Sequence, residues 1–274
     1  MPPALPGAPT PFSAHLLMAE KIVRLIPPSY PRRMNVVELL PQLHMLSFPV
    51  GHVYLWKGPR DLTLIDASVP GSAPLIAEVI EDLGYHPSDV RRLLLTHCHE
   101  DHVGSAAEIA AWADVIVYAH RDDAAVIRGH AAGLPPTLAD WEQVLYDQVQ
   151  AQMSKEPPQP VRVDHELEDG DTIDLGGGID ALAVAVPGHT PGSVAFYLPE
   201  PRVLFTGDTV ARTPDGKVVL GVFNVDPAQA AVSLQRQAQL DAEIACFGHG
   251  EPVTENATAQ LSAAAVRMFD GRRR

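Results

Sequence analysis

The segment Leu93-Leu94-Leu95-Thr96-His97-Cys98-His99-Glu100-Asp101-His102-Val103-Gly104 decides how this chain is read. An apolar run of strand character passes directly into His97, His99, Asp101 and His102. Side chains alternate along an extended segment, so His97 and His99 point the same way and one metal ion can take both imidazoles. Asp101 and His102 are neighbours, diverge, and suit a second ion. Cys98 turns away from the two histidines between which it lies and is not expected to be a ligand. A lone histidine is commonly a surface or satisfied core residue. Burying this whole group without a cation would cost on the order of several kcal/mol in unpaired polar atoms, so the cluster argues for metal.

Three further segments carry a potential ligand just after an apolar run: Val186-Pro187-Gly188-His189-Thr190, Leu204-Phe205-Thr206-Gly207-Asp208-Thr209 and Cys246-Phe247-Gly248-His249-Gly250. A glycine beside each ligand permits a tight turn and close backbone approach, which is how a strand end delivers one side chain into a shared pocket.

In motif order and spacing, over roughly residues 35 to 269, the chain resembles the metallo-β-lactamase superfamily. The resemblance implies an α+β fold, a four-layer αβ/βα sandwich with helices outside two sheets. It also implies a two-metal site, with His97, His99 and His189 on the first ion, Asp101, His102 and His249 on the second, and Asp208 bridging. Asp66, closing Leu62-Thr63-Leu64-Ile65-Asp66, resembles the acid that hydrogen-bonds a ligand histidine from behind. Two Zn2+ per chain are the expected cofactors. Two divalent ions, two carboxylates and a bridging hydroxide leave a centre of about +1, which favours an anionic transition state. The implied enzyme is a dinuclear zinc hydrolase whose metal-bridging hydroxide attacks the carbonyl of a small ester, lactone or thioester. Asp101 is its catalytic residue, passing a proton to the leaving group.

Within the superfamily, the Gly207-Asp208 carboxylate resembles the glyoxalase-II-like and lactonase-like branches and is usually missing from true β-lactamases, making antibiotic hydrolysis the less favoured function. The stretch after His249 is short for a glutathione-binding helical domain. Thr209-Val210-Ala211-Arg212 stands where acyl-homoserine-lactone lactonases carry a tyrosine. An alternative of another class is a mononuclear iron enzyme resembling the persulfide dioxygenases, with Fe in place of zinc.

Around this site the organisation is that of a single catalytic domain, residues 35–274, with an appendage at 1–34. The appendage opens proline-rich and carries a helical pattern from Ala14 to Ile26, whose apolar face could pair a homodimer. Short apolar runs from Asn35 to Asp66 read as a β-meander. Next come a helix (Ala73 to Leu83), a strand (Arg92 to Leu95), a helix (Ser105 to Ala113) and a strand (Val115 to Tyr118). Residues 121–155 read as a largely helical insertion, a candidate lid, broken at Gly133-Leu134-Pro135-Pro136. A second half of the same order opens with Val161-Arg162-Val163-Asp164-His165-Glu166-Leu167. It continues with strands at Ile179 to Val186, Val194 to Leu198 and Val203 to Phe205, a helix from Pro227 to Leu240, a strand at Ile244 to Phe247 and a helix from Thr254 to Phe269.

Phe223 and Asn224 fall where such folds build part of the substrate pocket, and His52 lies on a turn bordering the mouth; all three are candidate substrate contacts, with a surface role the plainer expectation for His52 and packing for Phe223. His120, His130 and His165 lack companion ligands and read as surface residues. The formal charge of −14 repels phosphate backbones and anionic lipid, so neither nucleic acid nor membrane is an expected partner and a small molecule is. Two cysteines, Cys98 and Cys246, make no disulfide scaffold and fit a reducing compartment; with no signal-peptide pattern, the expected location is the cytoplasm.

Overall fold

The structure, a computed structural model, describes residues 35–151 and 158–271. The proposed N-terminal helix and the end of the expected insertion lie outside the described residues.

The chain opens with a meander, β1 (Asn35–Leu40), β2 (Leu43–Ser47), β3 (Val53–Lys57) and β4 (Leu62–Ile65), each strand antiparallel to the last. Alternation along β3 explains why this is a central strand: Val53 and Leu55 face one cluster of buried residues, Tyr54 and Trp56 the other. Helix α1 (Ala73–Asp82) then crosses to β5 (Val90–Leu94), which lies parallel to β4. After short helices α2 (Glu100–Val103) and α3 (Ala106–Ala110), β6 (Ile116–His120) continues the parallel side.

Helix α4 (Arg121–Ile127) leads to an irregular stretch and then helix α5 (Asp140–Gln150). The expected largely helical insertion is therefore helical in two separate pieces. Gly129 takes a left-handed conformation, φ +71°, and the paired Pro135 and Pro136 cannot supply the amide hydrogens a helix needs. Strand β7 (His165–Leu167) pairs in parallel with β6 and completes a seven-stranded sheet. The segment expected to open the second half thus belongs to the first sheet.

The second sheet has five strands, in the order β14-β11-β10-β9-β8. It is built from β8 (Thr172–Asp174), β9 (Asp180–Ala185), β10 (Val194–Leu198), β11 (Val203–Phe205) and β14 (Ile244–Cys246). A hairpin of β12 (Val210–Arg212) and β13 (Val218–Leu220) stands apart from it. Helices α6 (Pro227–Gln237) and α7 (Ala257–Gly271) cover its outer face.

Three apolar layers separate four structural ones. Trp56, Ile65 and Leu94 of the first sheet meet Phe196, Phe205 and Cys246 of the second in the central layer. Ile76 and Ile80 of α1 cover the outer face of the first sheet, and Leu234 and Leu261 that of the second. This is the expected α+β sandwich, with helix, sheet, sheet and helix stacked in order. The strand ends that carry the histidines and aspartates open along one rim of the two sheets.

Candidate metal centre

Two groups of side chains gather at that rim: His97, His99 and His189, and beside them Asp101, His102, Asp208 and His249. The ligand atoms within each group lie within 4.8 Å of one another. They arrive from both halves of the fold. His97 and His99 follow β5, Asp101 and His102 sit on α2, His189 follows β9, Asp208 follows β11 and His249 follows β14.

In the first group, His99 Nδ1 lies 3.1 Å from His97 Nε2 and 2.9 Å from His189 Nε2. A ring nitrogen offers one proton or one lone pair, so His99 Nδ1 can satisfy only one of these two neighbours by hydrogen bonding. Three imidazole nitrogens converging on one point is instead the arrangement a cation requires; tetrahedral zinc places such nitrogens about 3.3 Å apart.

In the second group, His249 Nε2 is 3.1 Å from Asp101 Oδ2 and 3.0 Å from Asp208 Oδ2. His102 Nε2 is 3.3 Å from Asp208 Oδ1, and both of these buried atoms lack a hydrogen-bond partner. Orphaned polar atoms of this kind are costly unless something else binds them. Asp208 Oδ2 also lies 3.8 Å from His189 Nε2, so one carboxylate reaches both groups. The donor set therefore fits two divalent ions held side by side.

The tautomers follow from what lies behind. Asp66 accepts hydrogen bonds from the Thr96 amide and hydroxyl and from His102 Nδ1, each at 2.8 Å. Because Thr96 Oγ1 spends its proton on Asp66, it must accept from His97 Nδ1, 3.0 Å away. Both His97 and His102 are thereby left with the Nε2 lone pair aimed into the site. One acid orients a histidine in each group.

Electrostatics divide the groups in the same way. Burial, reinforced by His99, holds His189 down at about 3, and burial with His102 and His99 keeps His97 well below the ordinary histidine value. The first group is thus neutral and ready to ligate. Burial works against charge on His249 and His102 as well, but Asp208 leads the neighbours that raise both, His249 to about 10. The carboxylates that raise them are the negative charge a metal cation would meet there, in competition with the proton.

Glycine is required where the walls close. A Cβ on Gly248 would lie 2.0 Å from Asp208 Oδ1, and one on Gly188, whose φ is +129°, would lie 2.2 Å from the Ala230 amide nitrogen of α6. Both glycines precede a ligand histidine, so each substitution would push that histidine out of place.

One supporting residue had no sequence signal. Asp123 on α4 is buried and accepts hydrogen bonds from the Cys98 amide (2.9 Å), the Thr190 hydroxyl (2.7 Å) and the Gly192 amide (2.8 Å). It ties the His97–His99 loop to the His189 loop. Two acidic residues opening a helix look like ordinary helix N-terminal charges, and only the fold brings 190–192 to them.

Above the cluster lies a cavity of about 480 Å³ whose lining includes Phe223. Asn224 and His52 are not among its lining residues. Asn224 turns inward, donating from Nδ2 to the Gly221 carbonyl at 2.7 Å. His52 is buried rather than a surface residue: its amide bonds the Gly248 carbonyl at 2.9 Å, and burial, with His249 and His102 nearby, lowers it to about 4. His120 is buried too, its Nδ1 accepting the Asp122 amide at the start of α4. His130 and His165 are exposed. Cys98 packs against the first outer core and Cys246 lies between the sheets, neither within the two ligand groups.

The sequence profile of the metallo-β-lactamase superfamily matches residues 47–249, a span that holds every ligand named above. The chain belongs to this superfamily. Among its relatives is YflN of Bacillus subtilis, a probable metallo-hydrolase, 29% identical over 246 residues covering 82% of this chain and 90% of YflN. A hydroxyacylglutathione hydrolase of Fuscovulum blasticum is 30% identical over 190 residues, 68% of this chain; the match spans only 56% of that protein. A Cronobacter sakazakii metallo-β-lactamase with a HARLDQ motif superposes with a TM-score of 0.67 over 88% of this chain and 93% of that one. At 21% identity that likeness concerns the fold. Superfamily and cluster together make this protein a metal-dependent hydrolase with a divalent-metal site. No helix among the described residues is long and apolar enough to cross a membrane.

Proposed function

We propose that this metallo-β-lactamase-superfamily protein is a dinuclear zinc hydrolase acting on the carbonyl of a small ester, lactone or thioester. The observation that carries the proposal is the position of Asp208, whose Oδ2 lies 3.0 Å from His249 Nε2 and 3.8 Å from His189 Nε2, between two complete ligand groups. When bound, two zinc ions supply a water of lowered pKa and a Lewis acid for the carbonyl oxygen.

The chain's own residues do the rest. The neutral histidines of the first group and the carboxylates of the second divide the charge so that the negative groups lie on one side. Asp101 Oδ2 lies 3.1 Å from His249 Nε2, so both would face the second ion, and the Asp101 carboxylate would carry a proton to the leaving group. Apolar residues of the cavity wall exclude bulk water from the reacting carbonyl.

A complete second ligand group favours two ions over a single iron. Metal analysis of protein purified without added metal, together with Asp208→Ala, tests the proposal. About two zinc ions per chain are expected, and the variant should lose two-ion occupancy and about a hundredfold or more of esterase or lactonase turnover. One iron per chain with oxygen uptake, or normal turnover in Asp208→Ala, would overturn it.

A further inference from the structure

The metal ligands form the floor of the cavity, and its walls are mostly apolar, with Glu100 and Gln150 also among the lining. Leu145, Tyr146 and Val149 of α5 line it, as do Val222 and Phe223 of the loop after β13. No lysine or arginine is among the described residues lining it.

These walls come from segments 81 positions apart, and one side chain joins them. Glu142 is buried and uses both carboxylate oxygens: Oε2 accepts the Ala139 amide at 2.8 Å, and Oε1 accepts the Phe223 amide at 3.1 Å. Phe223 has a φ of +60°, a left-handed conformation that a bulky residue keeps only when its surroundings hold it. Its ring meets Tyr146 edge to face, with centroids 5.2 Å apart. Thr137 continues the seam, its amide bonding the Asn224 carbonyl at 2.8 Å and its hydroxyl the Val225 carbonyl at 2.9 Å.

We infer that Glu142 is a specificity-determining, positioning residue that latches α5 to the Phe223 loop and so shapes an apolar slot for the uncharged alkyl chain of the substrate. A carboxylate suits such a wall poorly, because it would lose its hydration and meet no lysine or arginine there. The slot is continuous with the metal floor, so the chain it holds places the carbonyl over the ions. The turnover arm of the test rests on the hydrolase proposal; the binding arm does not.

The test uses the full zinc-loaded chain. In calorimetric titration, 1-octanol should bind at least about tenfold more tightly than ethanol, by the apolar area it buries. Glu142→Ala should erase that preference with zinc content unchanged, and Glu142→Gln should keep part of it, since an amide oxygen can still accept one of the two N–H groups. Tyr146→Ala removes wall and leaves the latch, and supplies the same readout should Glu142→Ala fail to fold.

In turnover, the ratio of kcat/KM for p-nitrophenyl octanoate over acetate should fall about tenfold in Glu142→Ala, carried by KM. The p-nitrophenyl half-ester of suberic acid, of equal length with a terminal carboxylate, should be at least about tenfold poorer than the octanoate. Undiminished octanol preference in the variants, or equal use of the suberate and octanoate esters, would overturn the slot. Latch-dependent octanol binding with no turnover of octanoyl ester, thioester or lactone at full zinc occupancy would sustain the slot and overturn the hydrolase proposal instead.

Discussion

Asp66 reaches both metal groups, His102 directly and His97 through Thr96, which makes it the residue with the widest effect outside the ligands themselves. Asn fits its left-handed backbone, φ +63°, but presents an N–H where the carboxylate accepts. Asp66→Asn should therefore fold and should weaken zinc binding about 10- to 100-fold, measured by competition with a chromogenic chelator. Unchanged affinity would mean that Asp66 is a turn residue alone. A second residue-scale effect lies far from the site. Burial, reinforced by Lys57 and opposed by Glu38, lowers His44 below its ordinary 6.5. A histidine held neutral in the fold contributes stability that is present above 6.5 and lost as pH falls from there through the lowered value. His44→Gln, neutral throughout, should lose less stability than the wild type between pH 7.5 and 5.5 in urea unfolding. Parallel losses in the two proteins would refute this. Of these residues, the ligand histidines were legible in the sequence because clustering of one rare chemistry is hard to explain otherwise. Asp123 and Glu142 were not, because a buried carboxylate that bonds backbone amides looks in sequence like any other acid.

At the scale of elements, the strands β3, β5, β10 and β11 could be placed from apolar runs and alternation, since each buries one or both faces. Boundaries moved by a few residues at two helix ends. The helix expected from Thr254 begins at Ala257, and that expected to reach Leu240 ends at Gln237. Helix α6 starts cleanly because Asp226 Oδ1 accepts the Ala228 and Gln229 amides at 3.0 and 2.9 Å. Its backbone amide also bonds the Gly188 carbonyl, so the cap sits directly behind the His189 loop. Asp226→Ala should lower unfolding free energy by about 1 kcal/mol, read from the urea midpoint, while leaving zinc stoichiometry unchanged. A loss of zinc with unaltered stability would assign Asp226 to the site rather than to the helix. Within 121–155, helices α4 and α5 fall on either side of the Gly133-Leu134-Pro135-Pro136 break marked in the sequence, where the prolines cannot supply the amide hydrogens a helix needs.

For the whole molecule, the metal ligands come from the first sheet's rim and from the second's, so bound ions join two halves that otherwise meet through the central apolar layer. A ligand that binds only the folded state adds about 4 kcal/mol at a concentration a thousandfold above its dissociation constant. Stripping the metal with EDTA should therefore lower the thermal midpoint by about 10 °C, and restoring zinc should recover it. A midpoint indifferent to EDTA, with metal loss verified by elemental analysis, would show that the ions bridge nothing structural. By itself the sequence determined the family, the layered α+β fold and a cluster of histidines and aspartates able to hold metal, because periodic burial and clustered metal-binding chemistry are both written in local spacing. Tertiary structure alone decided how near Asp208 comes to both groups, which histidines are buried, that the 165–167 strand joins the first sheet, and that Glu142 clasps a loop 81 residues away. Those are long-range meetings, and their geometry exists only once the two sheets have packed.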